Sequence, residues 1–136
     1  MGLSAARRDE GPGAFRDLGG ADVVLRWRPL AGREALNLQG ELFTRRFRGV
    51  PDAGAAEWGA YAQAFWRTGA RAGLGLRWDQ APSAGDAAPG TERRVSALGT
   101  WFLSEFQRLR LQVSHERRPG GDEGWAAVAH LEFGIG

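Results

Sequence analysis

Ser114, His115 and Glu116 stand side by side and carry the side chains of a hydrolytic triad. A relay needs its three groups to converge, and consecutive residues of an extended strand point to opposite faces, so no catalysis is expected from them. The chain has two histidines, His115 and His130, and no cysteine. Neither histidine has an i, i+4 or cysteine partner, so no metal site is expected. His130 and Glu132 share parity, a pattern compatible with a weak proton or metal site and better explained by a solvated pair. Gly73-Leu74-Gly75 and Gly120-Gly121 belong to no strand-to-helix unit and make no phosphate loop. No enzyme activity and no cofactor are expected. The remaining chemistry is charge: the 18 basic residues are all arginine and face 16 acids. They are scattered singly and in pairs between the acids rather than along one stripe, which argues against a nucleic-acid partner.

The elements that would position those arginines are strands. Residues 1–20 lack sustained periodicity and are expected to be a loop or disordered tail. From Ala21 onward, seven segments (21–30, 33–47, 57–68, 71–80, 93–103, 106–117 and 125–136) alternate apolar and polar residues with a period of two. One face takes Val23, Leu25, Leu38, Ala62, Leu76, Val95, Leu111, Ala129 and Ile135, among others. The opposite face takes Arg26, Arg28, Glu41, Arg45, Arg67, Arg77, Arg108, Arg110 and Glu116. Residues 53–72 are rich in alanine and could form a helix, but two glycines and the alternation at Ala60, Ala62 and Ala64 favour a strand.

Alternation alone does not separate a soluble sandwich from a membrane barrel. The tryptophans do: all six (Trp27, Trp58, Trp66, Trp78, Trp101 and Trp125) fall on the apolar face near strand ends. Antiparallel order gathers Trp58, Trp78 and Trp125 at one rim and Trp27, Trp66 and Trp101 at the other, as the two aromatic girdles of a membrane barrel. Connections are expected to alternate short and long, with the short side periplasmic. Seven is an odd strand count, and no signal-peptide pattern opens the chain, so Met1 is read as an internal start with further strands upstream. The polar face would line a wet lumen in which arginines favour anions.

Four runs carry a family resemblance: Leu38-Gln39-Gly40-Glu41, Gly59-Ala60-Tyr61-Ala62-Gln63-Ala64, Arg71-Ala72-Gly73-Leu74-Gly75-Leu76-Arg77-Trp78-Asp79 and Ser104-Glu105-Phe106-Gln107-Arg108-Leu109-Arg110-Leu111-Gln112. Over residues 19–136 the chain resembles the C-terminal part of Gram-negative porin-superfamily barrels, the phosphate-selective-porin-like and zinc-regulated outer-membrane receptor-like proteins. The resemblance implies an outer-membrane location and passage of small solutes or ions. The expected fold is all-β, an antiparallel up-and-down transmembrane barrel segment of about seven strands and an incomplete barrel. Expected partners are the lipid bilayer, small and mainly anionic solutes, the outer-membrane assembly machinery and, as an option, further copies of the chain. The alternatives are a soluble β-barrel whose tryptophan face encloses an apolar ligand, and a fragment without function of its own.

Overall fold

The computed structural model describes residues 1–30, 32–49, 56–82, 90–104 and 106–134, with the Glu10 side chain outside the description. Ile135 of the expected last strand lies outside the described residues. Eight strands form one antiparallel meander in sequence order. They are β1 (Gly2–Gly11), β2 (Ala14–Trp27), β3 (Ala35–Arg48), β4 (Glu57–Arg67), β5 (Ala72–Pro82), β6 (Thr91–Phe102), β7 (Gln107–Arg117) and β8 (Glu123–Phe133). No helix occurs among the described residues, and the alanine-rich stretch is β4.

Two expectations change at the N-terminus. Residues 1–20 are not a loop: they form β1 and the first half of β2, paired from Gly2↔Asp22 to Gly11↔Ala14. The hairpin turns at Pro12-Gly13, where proline sets the first corner and Gly13, at φ 75, takes the positive-φ corner that suits glycine. The strand count is therefore even, which removes the parity argument for missing upstream strands. β2 ends at Trp27, shortly before Pro29, which has no N–H to give a ladder.

The strands are staggered as a tilted barrel wall requires. The row through the middle of β7, at Gln112, runs through Leu98, Gly75, Phe65 and Asn37 to Arg26 on β2. Arg26 lies five to six residues from the midpoint of β2 at Gly20-Ala21, so over five strand steps the sheet slides about one residue per strand. At ~3.3 Å per residue and ~4.8 Å between strands, that slide is a tilt of about 35°. Membrane barrels tilt by roughly 35–45°.

The register also separates two faces, and their burial is the inverse of a soluble sheet. Ser96, Thr100, Ser114 and Leu98 are buried on the polar face, with Leu98 the one buried hydrophobic among the described residues. No second layer covers either face, so these side chains are covered by neighbours on their own face and the sheet curls toward it. The apolar face is convex and open: Leu25, Leu74, Leu76, Val95, Leu111 and Val113 are all exposed. The chain exposes 10167 Å². A compact monomer of this mass would expose about 6,900 Å². The sheet is not closed: β1 and β8 are its two edges, and they are not paired with each other.

The connections follow the expected short–long rhythm only in part. One rim, here the upper, carries the connections 49–56, 83–90 and 118–122 together with the two-residue β1–β2 turn. The lower rim carries the four-residue connections 68–71 and 103–106 and the seven-residue 28–34. The tight hairpin on the upper rim and the longer link across Pro29 break the alternation on β1–β3.

Candidate functional site

The polar, concave face is the candidate site, because the register brings the charged side chains together there. Arg26, Glu41, Arg45, Arg67, Arg77, Arg108, Arg110 and Glu116 all share it; Arg28 follows the end of β2. Most of the charge is paired across strands. Arg45 Nη2 lies 2.5 Å from Glu57 Oε2 and Arg94 Nη2 lies 2.8 Å from Glu116 Oε1. Arg108 pairs with Glu132 Oε2, and His130 Nδ1 lies 3.8 Å from the same carboxylate's Oε1. Within β5, Arg77 donates to Asp79 through Nε at 2.8 Å, and its guanidinium lies 4.5 Å from the Tyr61 ring centroid. Gln39 Nε2 donates to the Tyr61 hydroxyl at 2.6 Å, extending this network across three strands.

Arg45 is thus not the partner of Glu41, although the i, i+4 spacing on one strand face invites that reading. Four residues of strand span roughly 13 Å, whereas the cross-strand neighbour sits about 5 Å away. Asp22 and Glu41 instead face each other across β2 and β3. Arg26, Arg67 and Arg110 are the cations of this face without a carboxylate partner among the predicted site residues. Arg67 donates to the carbonyl oxygens of Gly69 and Ala70, both at 3.0 Å, and lies over Phe102. All three lie within one residue of the row of Trp27, Leu36, Trp66, Leu74 and Leu111, which is near the lower rim on β2 and β4; the tilt lifts that row toward mid-height on β7, where Arg110 is two residues from the midpoint at Gln112. The cations without an acid partner therefore run from the lower rim on β2 and β4 toward mid-height on β7.

Sequence reading missed a hydroxyl cluster at the centre of this face. Ser96 Oγ and Ser114 Oγ are 2.9 Å apart, and Gln112 Nε2 donates to both, at 3.3 Å and 3.1 Å. The signal was parity: Ser96 and Ser114 are direct cross-strand partners once β6 and β7 are in register. The face also hides aromatic rings over glycines. Phe43 lies against Gly59 and Phe65 against Gly73, where any side chain would collide with the ring. That packing accounts for the weak polarity of β6 on this side, since Leu98 joins the Phe65–Gly75 row.

The opposite face carries all six tryptophans. Trp58 pairs with Thr44, whereas Trp78 and Trp125 share the row of Val23 and Gly40, four residues further from the upper rim on β3; a slide of about one residue per strand accounts for only part of that offset. Trp27 and Trp66 share one row, and Trp101 lies one outward step beyond it. Trp58 and Trp66, eight residues apart on β4, are separated by roughly 20 Å along the tilted axis, close to the ~25 Å apolar band of a membrane barrel. His115 lies on this face, its ring centroid 4.7 Å from that of Trp125 at a tilt of 49° and its Nε2 3.6 Å from Glu123 Oε2, away from Ser114. No group of three metal-ligating side chains occurs among the described residues.

Comparison with known proteins adds no identity: no family model, curated protein or solved structure matches the chain.

Proposed function

We propose that the chain forms part of the wall of an outer-membrane β-barrel pore through which small, preferentially anionic solutes pass. The observation that carries this reading is the inversion of burial: a tryptophan-edged apolar face lies exposed and convex, while the arginine-bearing face is concave. An exposed apolar surface that spans from β2 to β8 far exceeds the few hundred Å² tolerated on a soluble monomer. Lipid would cover it, and water would fill the concave side. The tilt, the spacing of the two tryptophan rows and the family resemblance all support the same reading. A soluble barrel that encloses a ligand with its tryptophans would need the opposite curvature.

Anion preference rests on Arg26, Arg67 and Arg110, since the other predicted lumen arginines within strands are paired with acids. The test is a planar bilayer held under a salt gradient. Discrete conductance steps with a reversal potential on the anion side are expected. A chain that folds as a monomer in plain buffer and gives no conductance would overturn the reading.

A further inference from the structure

The convex face is uncharged from the lower rim to the upper row of tryptophans, and then changes abruptly. Every charged strand residue on that face among the described residues lies at or beyond the upper rim of the band. One group is Arg7, Arg46 and Arg48 around Asp17. Arg7 Nε lies 2.6 Å and Arg48 Nε 2.8 Å from its carboxylate, and Arg46 is its cross-strand neighbour. The second group is Arg93 and Arg117, directly opposite each other on β6 and β7, with Glu123 bonded to Arg117 at 3.0 Å and Gln80 to Arg93 at 3.2 Å.

The two groups form one belt. The row through Gln80, Arg93 and Arg117 meets β2 at Ala21, four residues below Asp17. A slide of about one residue per strand over the four steps from β2 to β6 brings both groups to the same height. Each group lies one outward step beyond the tryptophans: Arg46 follows Thr44, the partner of Trp58, and Arg93 precedes Val95, the partner of Trp78.

Five arginines against three carboxylates, Asp17, Glu123 and Asp9 at the turn, where its Oδ1 accepts from Gly11 N at 2.9 Å, leave the belt cation-rich. Arg93 beside Arg117 is a like-charge cross-strand pair, which is unfavourable unless an anion lies between them. Arg7, Arg48 and Arg117 are more than half exposed. The planar guanidinium binds phosphate oxygens through paired hydrogen bonds.

We propose that this outward belt of Arg7, Arg46, Arg48, Arg93 and Arg117 binds the phosphate groups of anionic lipids in the leaflet at the upper rim. The proposal rests on the membrane reading, because only a bilayer around the apolar band sets headgroups at the height of the belt. Among the described residues the strands carry no such belt at the lower rim.

The test uses the full chain inserted into phosphatidylcholine vesicles that contain phosphatidylglycerol, with bromine carried on the acyl chains of one lipid or the other. Tryptophan quenching by brominated phosphatidylcholine reports insertion, and its absence with both lipids overturns the membrane reading and the belt with it. Given insertion, phosphatidylglycerol is expected to be enriched around the chain, on the order of fivefold for each arginine engaged. Replacing Arg46, Arg48, Arg93 and Arg117 together by glutamine is expected to abolish the enrichment and to leave quenching by phosphatidylcholine intact. Quenching of the native chain that merely follows bulk lipid composition would overturn the proposal without touching insertion. Loss of the enrichment on addition of inorganic phosphate, at constant ionic strength, would assign the belt to the free ion instead and likewise overturn it.

Discussion

The two faces of β5–β7 differ more than any other two regions of the molecule. Ser96 and Thr100 on the polar face are 1% exposed, while Leu76 on the apolar face of the neighbouring strand is 64% exposed. A soluble sheet buries its leucines and wets its serines. On the proposed reading the two faces meet different solvents, with the apolar one outside. No second layer among the described residues covers those polar side chains, so neighbours on their own face do.

The strongest way to break this comparison is to put the same charge on each face. Leu76→Arg, in the middle of the apolar band, is expected to destabilise the chain folded in vesicles by about 2–4 kcal/mol. Val128→Arg, on the polar face of β8, is expected to change it little; denaturant titration in vesicles reads both. Equal costs on the two faces would contradict the assignment of solvents.

A smaller effect tests the packing inside the curve. Gly73→Val pushes against the Phe65 ring and is expected to cost about 1–3 kcal/mol in the same titration, with Gly124→Val, whose added carbon meets nothing nearby, as the near-neutral control. Ser114→Ala removes one hydroxyl of the buried Ser96–Gln112 cluster and is expected to cost roughly 1 kcal/mol. The smallest effect sharpens the electrostatics. Removing two of the three lumen charges without an acid partner, Arg26→Gln with Arg110→Gln, is expected to lower the anion-to-cation permeability ratio about twofold per charge, the Coulomb effect at roughly 10 Å in water. Arg108→Gln, whose charge is already balanced by Glu132, should move the ratio less.

Where the residues contrast strongly from one position to the next, as in Leu74-Gly75-Leu76-Arg77-Trp78, the sequence was enough to place both strand and face. β1 is not legible because Leu3 to Arg8 gives too little contrast between alternate positions, and Gly11-Pro12-Gly13 suits a loop as well as a tight turn. The partners of the charged residues were not legible. Arg45 meets Glu57, and Ser96 meets Ser114, only once the strand register is known, and register depends on how whole faces pack. The outward arginine belt was hidden for the same reason: its two halves come from strands far apart in sequence, and only the tilt sets them at one height.

The chain has no cysteine, so single cysteines can be introduced along β4 on a silent background. Reaction of each with a water-soluble maleimide, with the chain in vesicles, tests the central claim directly. The account predicts a period of two, with Tyr61→Cys and Gln63→Cys reacting and Ala60→Cys, Ala62→Cys and Ala64→Cys protected. Reaction at all five positions, or protection with the opposite phase, would contradict a wall with lipid on its tryptophan face and water on its arginine face.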